Sequence, residues 1–69
     1  MKISARNQFK GKITSIQEGA VNGIVTIDIG CGNIVSATIS MNAIKELGLK
    51  VGKDAYAIIK ATSIMVGVD

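Results

Sequence analysis

Two runs of apolar–polar alternation stand almost back to back in this chain, with Gly30-Cys31-Gly32-Asn33 between them. In Ile24–Ile29, Val25, Ile27 and Ile29 share one face, and Thr26 and Asp28 take the other. In Ile34–Ser40, Val35, Ala37 and Ile39 point one way, and Ser36, Thr38 and Ser40 the other. A period of two belongs to a half-buried strand. The glycine-flanked stretch between the runs reads as a hairpin turn. The chain therefore has to close a sheet over one apolar face.

The remaining segments fit around that hairpin. Gln8 to Glu18 reads as a first strand, with Gly11 marking a bulge or bend inside it. Gly19-Ala20-Val21-Asn22-Gly23 reads as a turn, because Asn-Gly favours positive φ. After Ser40 the period changes. Met41, Ile44 and Leu47 form one stripe of a short helix. Ser40 is placed to cap its start. Gly48 is placed to end it, with Leu49 returning onto Ile44 in a Schellman closure. Ala55–Ile59 is expected as a fourth strand, Lys60–Ser63 as a turn and Ile64–Val68 as a fifth strand. The fold class is all-β with one short helix. Five short strands with the helix before the fourth are the arrangement of an OB-like five-stranded barrel. Residues 1–69 are read as a single domain, with no linker or internal repeat.

Size then raises a question of partners. A body of 69 residues and 7.2 kDa has a marginal core. Disulfides, a metal or oligomerisation usually supplement one. A single cysteine closes no intrachain disulfide, and with no histidine there is no zinc ligand set. Self-association is what remains, in keeping with 48% hydrophobic residues. No apolar run approaches the roughly 18 residues of a membrane span. Met1–Gln8 has basic charge but no apolar stretch behind it, so no signal peptide is expected. The expected compartment is the cytoplasm, where a lone thiol stays reduced.

Catalysis finds little support. The five acids, Glu18, Asp28, Glu46, Asp54 and Asp69, form no pair at a motif spacing. Cys31 lies between glycines with no base nearby in sequence, and reads as a turn thiol. No phosphate-binding glycine motif is present. A net charge of +3 suits an anionic partner or simply a solvated surface. Nucleic acid is one such partner, but single-strand binders stack bases on aromatic platforms. Phe9 and Tyr56 are the only aromatic residues here.

Two short segments offer a different chemistry. Ser4-Ala5-Arg6-Asn7 precedes the first strand, and Lys60-Ala61-Thr62-Ser63 separates the last two. Each has a cation, hydroxyls and backbone N–H groups, and neither has an acid. A donor-only set suits a small oxyanion, whose oxygens only accept. On chemistry alone the plainer reading stands ahead of it: Arg6 and Lys60 as surface cations and the hydroxyls as turn formers.

At these residues the sequence resembles the molbindins, small cytoplasmic molybdate-binding proteins also called molybdenum-pterin-binding proteins. The stretches that carry the resemblance are Ser4–Gln8, Glu18–Asn22, Ile27–Gly30, Val35–Ser40, Lys45–Lys53 and Ile59–Ala61. Ser-Ala-Arg-Asn-Gln is the most specific of them. The resemblance covers nearly the whole chain. It implies an OB-like barrel that assembles as a homo-oligomer, a hexamer built as a trimer of dimers. It implies molybdate or tungstate held between subunits, with no organic cofactor required. The oxyanion-binding residues it implies are Ser4, Arg6, Ser40, Lys60, Ala61 and Thr62. A possible second oxyanion site falls on Gly19, Ala20, Val21 and Asn22, and no cation site is implied. Relatives often have a run of glycines where this chain has Gly30-Cys31-Gly32. Either Cys31 takes positive φ here, or the two glycines carry the unusual dihedrals and Cys31 sits normally.

The expected function is thus oxyanion binding for intracellular storage or homeostasis, without catalysis and without a membrane or nucleic-acid partner. The alternative is a small basic OB-like module that binds nucleic acid. A third class is a pure assembly module whose anion sites are incidental.

Overall fold

The computed structural model describes residues 1–69. In chain order it holds β1 (Asn7–Gln17), β2 (Asn22–Asp28), β3 (Ile34–Ser40), α1 (Met41–Glu46), β4 (Asp54–Ile59) and one 3-10 turn, Ala61–Ser63. The strands form a single antiparallel sheet in the order β3-β2-β1-β4. β1 serves two neighbours. Asn7 to Lys12 pairs with β4, and Lys12 to Gln17 pairs with β2. The register slips between Ile13 and Ser15. A bulge there bends the strand and sharpens its twist, which curls the sheet around one apolar face.

The expected bulge at Gly11 therefore lies further along the strand, between Ile13 and Ser15. Gly11 serves a close approach instead. A Cβ there would run into the Asp28 carbonyl oxygen, so only glycine lets the two backbones pass. Asn22 and Gly23 also depart from expectation. They belong to β2, where Asn22 pairs with Ser40 and Gly23 with Ile39. A Cβ on Gly23 would lie 2.7 Å from Ile44 Cδ1, so its bare backbone is what lets α1 settle on the sheet.

Ile13, Val25, Ile27 and Ala57 meet on the inner face of the curl, and Ile44 of α1 completes this small core. α1 ends as expected. Ser40 Oγ accepts the Ala43 N–H at 3.0 Å. Gly48 takes φ +63°, its N–H bonds the Lys45 carbonyl, and the Leu49 N–H returns to the Ile44 carbonyl. Those two bonds are the Schellman pair. Lys53 Nζ also donates to the Leu47 and Gly48 carbonyls, at 2.9 and 3.1 Å. Leu47 does not join the core stripe. The helix stops at Glu46, and Leu47 is left 60% exposed.

At the β2–β3 turn, Gly30, Cys31 and Gly32 all have positive φ, with Cys31 at 53°. The Gly30 N–H is held by Asp28 Oδ1 at 2.8 Å.

The expected fifth strand is absent, so the sheet has four strands. After the 3-10 turn, Ile64–Val68 pairs with nothing, and Met65, Val66 and Val68 are 92%, 91% and 93% exposed. β3 and β4 are consequently free edges. Between them opens a cavity of about 520 Å³, lined by Val35, Ala37 and Ile39 on one side and Ala55, Ala57 and Ile59 on the other.

Candidate functional site

Register decides which candidate residues meet. Asn7 is paired with Ile59. The next residue out along each strand is Arg6 on one side and Lys60 on the other. The Ser4–Arg6 segment and the Lys60–Ser63 turn are thus neighbours at one end of the sheet, although the sequence separates them widely. Gln8 fixes the first segment, its Nε2 donating to the Ala5 carbonyl at 2.8 Å. The 3-10 turn fixes the second, with the Ser63 N–H on the Lys60 carbonyl and the Ile64 N–H on that of Ala61. The N–H groups of Ala61 and Thr62 stand at the start of this turn, where no carbonyl precedes them in the helical pattern.

The charge around this cluster is unopposed. The one ion pair in the structure joins Lys12 Nζ to Asp54 Oδ1 at 2.7 Å, further along β1 and β4. That bond and the Lys12 charge hold the Asp54 carboxyl below its ordinary value of 3.8. Arg6 and Lys60 have no carboxylate partner, and both are exposed. The end of the sheet therefore presents two cations, the Ser4 and Thr62 hydroxyls and turn N–H groups, all of them donors.

Ser40 lies elsewhere. It pairs with Asn22, level with the opposite end of β1. A strand the length of β1 extends for roughly 30 Å, so one chain does not bring Ser40 to Arg6 and Lys60. Its capping bond uses an oxygen lone pair and leaves the hydroxyl hydrogen to donate.

The second candidate turn is close to Ser40. Gly19 and Asn22 line a polar cleft of about 270 Å³, with Gln17, Glu18, Gly23, Ile24 and Thr38. Ala20 and Val21 do not line it. Val21 instead uses its carbonyl to accept the Met41 N–H at 2.8 Å, tying this turn to α1. Glu18, the one acid among the lining residues, brings a negative charge close to this cleft. Cys31, exposed at the tip of the β2–β3 turn, belongs to neither cluster.

Gln8 is the residue that sequence reasoning passed over. It lies within the Ser-Ala-Arg-Asn-Gln stretch, and its position in that motif was the available signal.

Residues 3–66 match the TOBE domain family. A probable molybdenum-pterin-binding protein of Haemophilus influenzae is 70% identical over 69 residues, covering 100% of both chains. The chain belongs to the molybdenum-pterin-binding proteins, the molbindins. Among solved structures, this molbindin is similar to MopII from Clostridium pasteurianum, with a TM-score of 0.91 and 39% identity over 97% of this chain and 100% of that one. It is also similar to the cytoplasmic molybdate-binding protein ModG in a form with molybdate bound. There the TM-score is 0.83 and the identity 44%, over 88% of this chain and 43% of that one. The OB-like architecture expected from the molbindin resemblance is thus the architecture found, with one strand fewer. No helix of this molbindin is long and apolar enough to cross a membrane.

Proposed function

We propose that this molbindin binds molybdate or tungstate between copies of itself, as an intracellular store or buffer. Residues 1–69 act in this reading as a single binding domain of a cytoplasmic homo-oligomer, a hexamer arranged as a trimer of dimers. No organic cofactor is required. The observation that carries the reading is the Asn7–Ile59 pairing, which sets the acid-free Arg6 segment beside the Lys60 turn. The description of ModG as a molybdate-binding protein names this ligand, and the molybdenum-pterin-binding relatives share the metal.

The chemistry is matching of charge and donors. Molybdate is a dianion without a proton at neutral pH. Arg6 and Lys60 supply two positive charges. Ser4 and Thr62 hydroxyls and the Ala61 and Thr62 N–H groups supply further donors. Phosphate is partly protonated at pH 7 and brings a donor of its own, which an acceptor-free shell does not satisfy. Sulfate shares the charge and shape of molybdate but is smaller, so its rejection calls for a cavity of fixed size. A rigid boundary between subunits provides one, and a Ser40 hydroxyl from a second copy completes the shell that one chain leaves open. The Gly19–Asn22 turn is a second, weaker candidate site in the same assembly.

No step of catalysis enters this reading. The chain has no histidine, and its acids form no cluster of the kind a general base and acid require. Nucleic acid fits the surface less well. Phe9 and Tyr56 are both exposed, but they fall on opposite faces of the sheet, so they form no shared stacking platform.

The test combines native mass spectrometry of protein purified with molybdate and calorimetry on two variants. A charge-assisted hydrogen bond contributes about 1.5–3 kcal/mol, so Arg6→Ala and Lys60→Ala should each weaken molybdate binding at least about tenfold. The double variant should lose less than the sum, since both changes act on one ligand. Assembly is measured for every variant. Assembled single variants that both bind like wild type would overturn the site. Binding of single-stranded nucleic acid that falls steeply with salt, in place of oxyanion binding, would favour the other reading.

A further inference from the structure

The two halves of the cationic cluster are held in unequal ways. The Lys60–Ser63 turn follows directly on β4 and braces itself. Its Ser63 N–H reaches the Lys60 carbonyl at 2.9 Å, and its Ile64 N–H reaches that of Ala61 at 3.4 Å. The other half has no such bracing of its own. β1 begins at Asn7, and none of the backbone bonds outside the strands and helix involves residues 1–6. A single hydrogen bond reaches the Ser4–Arg6 segment, from Gln8 Nε2 to the Ala5 carbonyl at 2.8 Å.

Gln8 suits that task by place and by chemistry. Its own backbone is fixed by pairing with Ile58. The bond closes a ring from Ala5 to Gln8, which constrains the dihedrals of Arg6 and Asn7 between them. The carboxamide donates without adding a charge to the cluster. The bond is open to water, so it adds little to global stability. Its effect is on position. A binding wall keeps its geometry only when a supporting contact locks it.

Position matters most where two ligands differ only in size. Molybdate and sulfate are both tetrahedral dianions, and charge matching does not separate them. A wall free to move closes on the smaller ion as readily as on the larger. A wall held at one distance favours the larger.

We infer that Gln8 is a positioning residue that sets the preference of the oxyanion site for molybdate over sulfate. It does so by holding the Ser4–Arg6 wall at a fixed distance from the Lys60 turn. This rests on the oxyanion reading above and names what gives that site its selectivity.

Calorimetry with molybdate, alone and in competition with sulfate, tests the brace on two variants. Gln8→Met keeps the length of the side chain and removes the donor. Molybdate affinity should fall about fivefold, the worth of one neutral hydrogen bond. Sulfate affinity should not fall, so the ratio of the two drops by about the same factor. Gln8→Lys restores a donor to the Ala5 carbonyl. Its added charge acts alike on two dianions, so it cancels in the ratio, which should return to within about twofold of wild type. A merely structural role would not move this ratio. In the anion-free chain, backbone nitrogen relaxation should show the Arg6 amide more mobile in Gln8→Met, with the urea midpoint unchanged. An unchanged ratio in Gln8→Met would overturn the inference. So would a Gln8→Lys variant as unselective as Gln8→Met, or a Gln8→Met variant that fails to fold. Molybdate binding that Arg6→Ala weakens and Gln8→Met leaves alone sinks the brace only. Failure of the wild-type chain to bind either anion sinks the oxyanion reading and the selectivity role with it.

Discussion

Cys31 is the only non-glycine residue with positive φ, and it lies between two glycines that share the left-handed region. A side chain there costs about 1–2 kcal/mol. Glycine removes that strain but gives back roughly 0.5–1 kcal/mol through the unfolded chain. Cys31→Gly should therefore stabilise the protein by no more than about 1.5 kcal/mol in urea unfolding. The turn lies away from the Arg6–Lys60 cluster, so molybdate affinity should stay within a factor of about three, or roughly 0.6 kcal/mol. A tenfold loss would put the turn at the site. Asp54 gives a second residue-scale expectation. Its bond from Lys12 keeps its carboxyl below 3.8. The resulting stability is present above the unfolded value and is lost as pH falls through the folded one. Both side chains are more than half exposed, so the effect is small and screened by salt. In a carboxylate NMR titration, Lys12→Met should raise the Asp54 midpoint toward 3.8, and an unmoved midpoint would dismiss the pair.

At the scale of elements, α1 is six residues long and depends on its ends. Ser40→Ala removes the cap and should cost about 1 kcal/mol. Asp caps as well as Ser, so Ser40→Asp should keep the stability. It also sets a negative charge where the proposed dianion rests. The expected outcome is normal unfolding with molybdate affinity down at least about tenfold, read by denaturation and calorimetry. Wild-type affinity in Ser40→Asp would remove residue 40 from the shell. The helix was legible because capping and Schellman closure are local, written in Ser40, Gly48 and Leu49. β2 and β3 were legible for the same reason: alternation is local. Gly11 and Gly23 were misread because glycine marks either a turn or a close approach, and only the neighbours, Asp28 and Ile44, show which. Ile64–Val68 was expected as a strand and pairs with nothing in the fold; an apolar composition tells what a segment can cover, and does not say which strand it pairs with. Arg6 and Lys60 stood out as cations in acid-free segments, but only the resemblance put them at one site, since the pairing of Asn7 with Ile59 joins opposite ends of the chain and has no local signature.

At the scale of the molecule, five apolar residues form the whole buried core. A core so small leaves the single copy marginal. Thermal unfolding should therefore shift upward with protein concentration, because assembly stabilises by mass action. Molybdate at about 100 times its Kd should add about 2.7 kcal/mol to the folded state. A midpoint indifferent to both would mean that the lone barrel is self-sufficient and the anion is not a ligand. The placement of Ser40 and Lys60 at opposite ends of β1 reaches beyond stability. The shell proposed above draws on both ends and so calls for more than one copy; in that reading the capacity to retain the anion rises faster than the number of chains made, with a threshold set by the geometry of the sheet.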